Sequence, residues 1–360
     1  MLKQLMSTED SIIYSLKTLY KKSGYSEFKM RRFEEYSMYA QNKSFLMSED
    51  IITFNGMGGK LLALKPDVTL SIVKNTKADT DNTEKIFYRE SVFRADKQSH
   101  EYKEINQIGL EVLGNIDKLA TVEILQLAMK SLEVVSPDYI LDISHMGLIM
   151  SCLDDLEQAQ AREEILGCIG SKNIHDLKNI CMKYSVDDDI SDRIVKLVGV
   201  GADIKNALEM LKPLIISDGM KNAYDELFEI YELLNLLGCS DKIRIDLSLI
   251  NDIDYYNGIV MKGYINGIHK DILSGGRYDN LTQKFNKSIG AMGFAIYMGD
   301  LLYFYSDKND YDADVLILYN ENSDLSAVVY EAEKLRSEGR IVRVDNKIPK
   351  NFKYLELEQL

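Results

Sequence analysis

Three things are scarce in this chain: cysteine, long apolar runs and positive charge. The 4 cysteines among 360 residues are widely and irregularly spaced, which excludes the close pairs of zinc and redox sites and a secreted disulfide framework. No apolar run approaches the ~20 residues needed to cross a bilayer, and the first residues do not form a signal peptide. We therefore expect a cytoplasmic protein with no membrane segment, no metal and no cofactor.

Basic residues are outnumbered by acidic ones, 43 to 57, which gives a formal net charge of −14. Such a charge argues against a broad nucleic-acid-binding surface. The hydrophobic content of 46% is ordinary for a soluble globular protein. The length allows one large domain of helices and strands with a smaller appendage.

Hydrophobic periodicity and turn residues predict an order of helices and strands. Before residue 146 the predicted elements are a helix over 1–24, strands over 51–54 and 60–64 around a glycine-rich turn at 56–59, a helix that begins at Pro66, strands over 85–95 and 102–114, a helix over 117–133 and a strand over 139–143. Strands in hairpin order with helices on one side predict a largely antiparallel sheet in an α+β core.

The pattern becomes helical between about 146 and 237, with glycines at the breaks, which predicts an α-helical insertion. After the insertion we expect strands over 242–249, 255–264 and 270–274, and a strand or turn over 290–305 that leads into a buried helix. The tail, 313–360, predicts one βαβ unit with strands over 314–319 and 340–344 and a helix over 325–339. It is too short for a full doubly wound domain.

Polar residues at strand positions are the first candidates for a site. Gln107 and Glu111 are four apart on one strand and share a face, where they could receive an ammonium or imidazole group, unless this face is simply solvated. Arg94 ends the preceding strand, where it could bind a phosphate or carboxylate or make a surface salt bridge. Each of these residues taken alone is a weak signal.

Two further segments and a tyrosine pair have similar ambiguity. Asp67 and Thr69, in KPDVT, lie where a strand meets a helix, and helix capping explains them as well as ligand binding does. The segment GGRYD predicts a tight turn that could hold Arg277 near an anion or could be a hairpin exit. Tyr255 and Tyr256 follow an apolar run and precede a glycine.

The order of these segments along the chain carries more information than any one of them. KPDVT, FRADKQSHEYKEINQIGLEVLG, IDYYNGIVMKGY, GGRYDNL and IGAMGFAIYMGDLL together resemble the class II histidyl-tRNA synthetase catalytic core over residues 1–305. The resemblance implies a six- or seven-stranded antiparallel sheet flanked by helices, an insertion at 146–237, and a dimer formed through the first motif.

The same resemblance implies which residues are missing for catalysis. The second-motif arginine is present as Arg94, but the two further arginines expected near ATP fall on Asn251 and Asp300, and Glu101 stands where a loop arginine is expected. Activation of an amino acid by ATP requires cations around the phosphates. Loss of two of them predicts that adenylation does not occur, while Arg94 and Arg277 could form a residual phosphate-type site.

The residues implied to contact histidine are largely retained. They are Asp67, Thr69, Gln107, Glu111, Tyr255 and Tyr256. Carboxylates suit an ammonium group, and an amide and phenols suit imidazole nitrogens. The alternative is that these residues serve sheet packing only.

A synthetase core without activation arginines, followed by a shortened tail, is similar to the family of ATP phosphoribosyltransferase regulatory subunits. That similarity implies a non-catalytic protein in the first step of histidine biosynthesis, which self-associates as a dimer within a hetero-oligomer with a short-form catalytic subunit and responds to histidine. An acidic chain without a complete anticodon-type domain is also poorly suited to tRNA. One alternative is a divergent histidyl-tRNA synthetase that activates histidine with ATP, and another is a synthetase-like paralogue that modifies or senses a different molecule.

Overall fold

The structure is a computed structural model, and it describes residues 7–40, 51–95, 101–154, 156, 158–250, 255–299, 301 and 311–360. The chain divides into two compact units, one formed by Ile13–Asp300 and the other by Met1–Ile12 with Leu301–Leu360. Within the described ranges, no helix combines the length and apolar character that a bilayer crossing requires.

A mixed sheet is the centre of the larger unit. Its strands are β1 (Ser26–Glu27), β5 (Glu84–Ala95), β6 (Tyr102–Gly114), β7 (Tyr139–His145), β8 (Gly201–Asp203), β9 (Ile243–Asp246), β10 (Ile259–Ile265), β11 (Leu273–Arg277) and β12 (Gly290–Tyr297). In the described residues they have the order β1-β5-β6-β12-β11-β10-β7-β9-β8, and only the pairs β1·β5 and β7·β9 are parallel. The predicted antiparallel α+β class is confirmed. The predicted strand number was too low, because the two-residue β1 and three-residue β8 extend the edges.

Three further strands, β2 (Phe33–Glu35), β3 (Thr53–Asn55) and β4 (Leu61–Leu64), form a separate small sheet in which β4 is central. The helix after β4 begins later than predicted, at Thr69 rather than Pro66. Asp67 explains this start, because its Oδ1 accepts a 2.8 Å hydrogen bond from the Leu70 N–H. Buried Lys65 fixes the approach to the helix through a 2.6 Å bond to Glu90 on β5.

The helices of the larger unit surround the sheet and form the insertion. They are α1 (Thr8–Lys22), which begins in the smaller unit, α2 (Tyr36–Ala40), α3 (Thr69–Asn75), α4 (Lys118–Val135), α5 (Met146–Cys152), α6 (Ala159–Gly170), α7 (Ile174–Lys183), α8 (Asp188–Val198), α9 (Ile204–Leu211), α10 (Asp218–Leu236) and α11 (Asp279–Lys284). Side-chain caps begin several of them, such as Asp117 on the Ala120 N–H and Ser217 on the Met220 N–H.

The insertion is helical from α5 to α10, as the periodicity predicted, with one exception. Gly201–Asp203 forms strand β8, which pairs antiparallel with β9 at the edge of the large sheet. Its three residues are too few to give a strand period, so the pattern did not reveal it.

One face of the large sheet is apolar and is covered by α1 and α4. Phe87, Leu110 and Phe294 lie side by side on β5, β6 and β12, and each is at most 2% exposed. The Tyr20 ring of α1 lies 5.8 Å from that of Phe87, and the Tyr20 hydroxyl is 2.9 Å from Ser131 Oγ on α4. This face contributes one hydrophobic core to the unit, and a second cluster that includes Ile86, Leu113 and Ala291 lies on the other side of the sheet.

Two of the sequence predictions for the last strands of the unit were wrong. Strand β10 begins at Ile259, so Tyr255 and Tyr256 lie in the turn before it rather than in the strand. Gly275 and Arg277 lie within β11 instead of a tight turn. The glycine is required by close strand approach, because a Cβ at Gly275 would lie 2.2 Å from the Gly293 carbonyl oxygen.

The smaller unit contains β13 (Ala313–Leu318), α12 (Leu325–Ser337), β14 (Val342–Asp345) and β15 (Tyr354–Gln359). The strands are parallel and have the order β14-β13-β15. The predicted βαβ unit is therefore present, and β15 adds a third strand that the sequence did not predict. Its sequence YLELEQ alternates apolar and charged residues, which is a strand signal that was missed.

Candidate functional site

A cavity of about 410 Å³ lies on the polar face of the large sheet. The six residues predicted to contact histidine all line it, namely Asp67, Thr69, Gln107, Glu111, Tyr255 and Tyr256. They come from three places in the chain: the entrance of α3, strand β6 and the turn before β10. Gln107 and Glu111 therefore share a face, as their spacing predicted.

Small residues on neighbouring strands form the floor of the cavity. Ser274, Ala295 and Gly109 lie side by side on β11, β12 and β6. Gly293 is paired with Glu111, and an added Cβ there would lie 1.8 Å from Glu111 Oε2. The floor therefore leaves room for the glutamate to lie along the sheet and for a ligand above it.

Glu111 is the most deeply buried charged group of the cavity, with 2% of its surface exposed. Its Oε1 accepts a 3.1 Å hydrogen bond from the Thr69 hydroxyl, and its Oε2 accepts a 2.6 Å bond from the Tyr278 hydroxyl. Burial raises the pKa of the Glu111 carboxyl to about 8, although both hydrogen bonds oppose the rise. A cationic ligand group would supply the charge partner that this carboxyl lacks.

Asp67 and Arg94 form a second charged pair at the cavity wall. Arg94 Nε donates a 2.9 Å hydrogen bond to the Pro66 carbonyl, and its terminal nitrogen lies 3.8 Å from Asp67 Oδ2. Burial raises the pKa of Asp67, and Arg94 opposes this. Helix capping and a salt bridge, the two ordinary explanations considered for these residues, are thus both realised beside the cavity.

Three tyrosine rings enclose one end of the cavity. The ring centroids of Tyr255 and Tyr256 are 4.7 Å apart, and those of Tyr255 and Tyr278 are 5.7 Å apart. Burial raises the pKa of Tyr255 and Tyr278 well above the usual phenol value, so both hydroxyls stay protonated. They can donate hydrogen bonds or accept them from a ligand N–H.

The opposite end of the cavity is formed by β10, β11 and the end of β12. Lys262 Nζ lies 3.6 Å from Asp271 Oδ2, and Ser274 Oγ lies 2.7 Å from the Tyr297 hydroxyl. The cavity therefore has the Glu111 carboxyl with tyrosines at one end, and a lysine–aspartate pair with two hydroxyls at the other.

Several of these residues were missed by sequence reasoning, although some had a visible signal. Tyr278 follows directly after the quoted Arg277, and Lys262 is the only charged residue in the strand IVMKGYI. Tyr88 lies on β5, which was predicted within one residue, and Tyr297 ends β12, in a segment that was predicted as a strand or turn. No pattern within one strand shows that these residues meet, because their proximity depends on strand register.

The structure does not bring Arg94 and Arg277 together. Arg277 lines a different cavity with Asp117 and Glu226, and its Nε donates a 2.9 Å hydrogen bond to Asp279 Oδ2. The two positions that lack expected arginines, Asn251 and Asp300, lie outside the described residues, and Glu101 is exposed. In the described part of the chain, no three His, Cys, Asp or Glu side chains are placed to hold a metal ion.

Comparison with known proteins places the chain in a family. The histidyl-tRNA synthetase family model matches residues 1–301. An ATP phosphoribosyltransferase regulatory subunit from Clostridium botulinum is 30% identical over 328 residues, which cover 85% of this chain and 75% of that protein.

Two solved structures share the fold. One is an ATP phosphoribosyltransferase regulatory subunit/histidyl-tRNA synthetase from Bacillus halodurans, with a TM-score of 0.81 and 21% identity, covering 98% of this chain and 93% of that one. The other is from the ATP phosphoribosyl transferase (HisG:HisZ) complex of Thermotoga maritima, with a TM-score of 0.63 and 20% identity. The match covers 79% of this chain and 96% of that one. The fold is thus of the class II histidyl-tRNA synthetase type. This chain belongs to that family and, within it, to the ATP phosphoribosyltransferase regulatory subunits.

Proposed function

We propose that this chain is a non-catalytic regulatory subunit of ATP phosphoribosyltransferase, and that it binds histidine in the cavity above Glu111. One observation carries the site: the buried Glu111 carboxyl, bonded to Thr69 and Tyr278, faces a cavity large enough for an amino acid. Through this site the subunit makes a catalytic partner sensitive to histidine, the end product of the pathway.

Histidine suits this cavity because it carries several N–H groups on a small body. The remaining lone pairs of Glu111 can accept from an ammonium or imidazole N–H, and the amide of Gln107 can donate or accept. The buried tyrosine hydroxyls enclose that end and exclude water, which strengthens each polar contact. A ligand without a cationic group would leave the Glu111 carboxyl with only its two hydroxyl partners, Thr69 and Tyr278, among the described residues.

The small number of cations among the residues considered favours histidine binding over adenylation as the function of this cavity. Arg94 is engaged with Asp67 and the Pro66 carbonyl at the cavity wall. Asn251 and Asp300 supply no positive charge where the family resemblance requires it. A triphosphate entering this cavity would find too few cations to stabilise its transition state.

The proposed partner is the short-form catalytic subunit of ATP phosphoribosyltransferase, and the subunit acts as a dimer inside a hetero-oligomer in the cytoplasm. The structural neighbour from Thermotoga maritima is part of an ATP phosphoribosyl transferase (HisG:HisZ) complex, which supports a catalytic partner of this kind. Feedback requires histidine to bind two states of the complex with different affinities. The net charge of −14 argues against tRNA as a partner.

Reconstitution with a short-form catalytic subunit tests this proposal. We expect the two chains to co-purify, the transferase activity to rise on mixing, and histidine to inhibit the complex. Glu111→Gln should leave co-purification and activation unchanged but remove most of the inhibition, because a neutral amide pairs poorly with a cation. Glu164→Gln, which alters an exposed carboxylate beside Lys183 on the insertion, is the matched control and should remain inhibited.

Pyrophosphate exchange with histidine and ATP tests the alternative, a divergent histidyl-tRNA synthetase. We expect no exchange above background with the purified chain. Robust exchange would overturn the regulatory assignment. Unchanged histidine inhibition in Glu111→Gln would keep the subunit assignment but move the effector site elsewhere.

A further inference from the structure

The lysine at the far end of the cavity has no role in the histidine contacts described so far. Lys262 is on β10, where Val260 and Lys262 point to the polar face of the sheet and line the cavity. Its side chain is only 19% exposed, and its Nζ lies 3.6 Å from Asp271 Oδ2. That distance is longer than a strong charge-assisted hydrogen bond of about 2.7–2.9 Å. Lys262 can therefore leave Asp271 for a more closely placed anion at a small cost in free energy.

Strand register places Lys262 opposite Glu111 across the cavity floor. Lys262 pairs with Ser274, Ser274 with Ala295, and Ala295 with Gly109, two residues before Glu111. Three strand spacings separate the two walls, roughly 14 Å between backbones before the side chains extend inward. The residues between them are small, so no large side chain of this row separates the lysine from a ligand held at Glu111.

Hydroxyl groups beside the lysine complete a possible anion site. Ser274 Oγ and the Tyr297 hydroxyl are 2.7 Å apart on neighbouring strands, and both residues line the cavity. One of the two hydroxyls can donate to the other while the second donates to a ligand oxygen. Among the described residues that line the cavity, the other cation is Arg94, which is already bonded to the Pro66 carbonyl and lies near Asp67.

We propose that Lys262, with Ser274 and Tyr297, forms an anion subsite that receives the carboxylate of the ligand whose cationic part binds Glu111. The cavity then selects a zwitterion, because Glu111 faces the cationic part of the ligand, and Lys262 turns from Asp271 to the ligand carboxylate. This inference rests on the proposed function, since it assigns the second half of the same histidine site. It makes the amino acid carboxylate, and not only the imidazole, a determinant of feedback.

Calorimetric titration with histidine and with histamine, which lacks the carboxylate, tests the subsite on the full chain. The wild-type chain should bind histidine more tightly than histamine. Lys262→Met keeps the aliphatic stem but removes the charge, and it should weaken histidine binding about tenfold to a hundredfold while histamine binding stays unchanged. Lys262→Arg should retain most of the affinity, and Lys130→Met, at an exposed position on α4, should behave as wild type.

The outcomes separate this inference from the proposed function. Wild-type histidine affinity in Lys262→Met, together with lost affinity in Glu111→Gln, overturns the subsite but leaves the histidine site in place. Equal weakening of histidine and histamine by Lys262→Met also overturns it, because the lysine would then only shape the cavity. Failure of the wild-type chain to bind histidine overturns both proposals.

Discussion

Leu110 and Glu111 are consecutive residues of β6, yet they face opposite environments. Leu110 lies between Phe87 and Phe294 on the face covered by α1 and α4, with no exposed surface. Glu111 lies beside Gly293 on the other face, at the floor of the cavity. Both residues are buried, but one is surrounded by apolar side chains and the other by hydroxyl groups.

The two faces of the sheet therefore have different roles: one stabilises the fold and the other forms the binding cavity. The apolar face gains stability from each buried side chain, about 1.5–3 kcal/mol for a leucine. The polar face keeps a carboxyl whose raised pKa records the cost of burying its charge. A cationic ligand can offset that cost, so ligand binding at the second face should raise the free energy of unfolding.

The largest decrease in stability is expected from a substitution on the apolar face. Leu110→Ala removes a fully buried side chain and should lower the free energy of unfolding by about 2–5 kcal/mol. Chemical denaturation followed by circular dichroism measures this loss. Histidine affinity of the folded variant should stay within a few-fold of wild type, and a large loss of affinity would show that the two faces are not separable.

A smaller effect on the free energy of unfolding, and one that depends on pH, is expected from Glu111→Gln. Burial raises the pKa of Glu111 to about 8, above the 4.5 of the unfolded chain, so the folded chain keeps a proton that the unfolded chain releases. The wild-type free energy of unfolding should therefore fall as pH rises between about 4.5 and 8, by at most about 1.36 kcal/mol per pH unit from this group.

Glu111→Gln should remove that contribution to the slope, and denaturation at pH 6 and pH 8 without ligand measures it. Glu164→Gln should retain the wild-type slope, because the neighbouring Lys183 lowers the pKa of Glu164. Identical slopes in wild type and Glu111→Gln would mean that Glu111 is ionised in the folded chain without a ligand.

The smallest effect is expected from Tyr278→Phe. The substitution removes the hydroxyl that donates to Glu111 Oε2 at 2.6 Å but keeps the buried ring. The free energy of unfolding should fall by about 1 kcal/mol at pH 6. The decrease should be larger at pH 9, because the glutamate is charged there and its hydrogen bonds are stronger. Denaturation at the two pH values measures it, and Tyr330→Phe, at a position 71% exposed, should show no loss at either.

Much of the fold could be predicted from local sequence. The long strands β5 and β6 and the helix α4 were predicted within a few residues, because they are long and strongly periodic. The three-residue β8 was missed because it is too short to show a period, and β15 was missed although its Leu-Glu alternation is typical of a strand.

The site was predicted in part, and its errors have a common cause. Asp67, Glu111 and Tyr255 were chosen from ordered motifs and do line one cavity. Arg277 was chosen from the same kind of motif but faces a different cavity, because GGR continues a strand instead of turning. Whether a residue reaches a site depends on strand continuation, which a short motif does not specify.

Local sequence was enough to predict the order of the long helices and strands, the net negative charge, and the alternation that puts Leu110 and Glu111 on opposite faces. These are properties of neighbouring residues along the chain. Tertiary structure decided which strands lie side by side, and so placed Lys262, Ser274 and Tyr278 around the same cavity as Glu111. The physical reason is that hydrogen-bonded register between distant segments, and the close approach that Gly275 and Gly293 allow, are settled only when the sheet assembles.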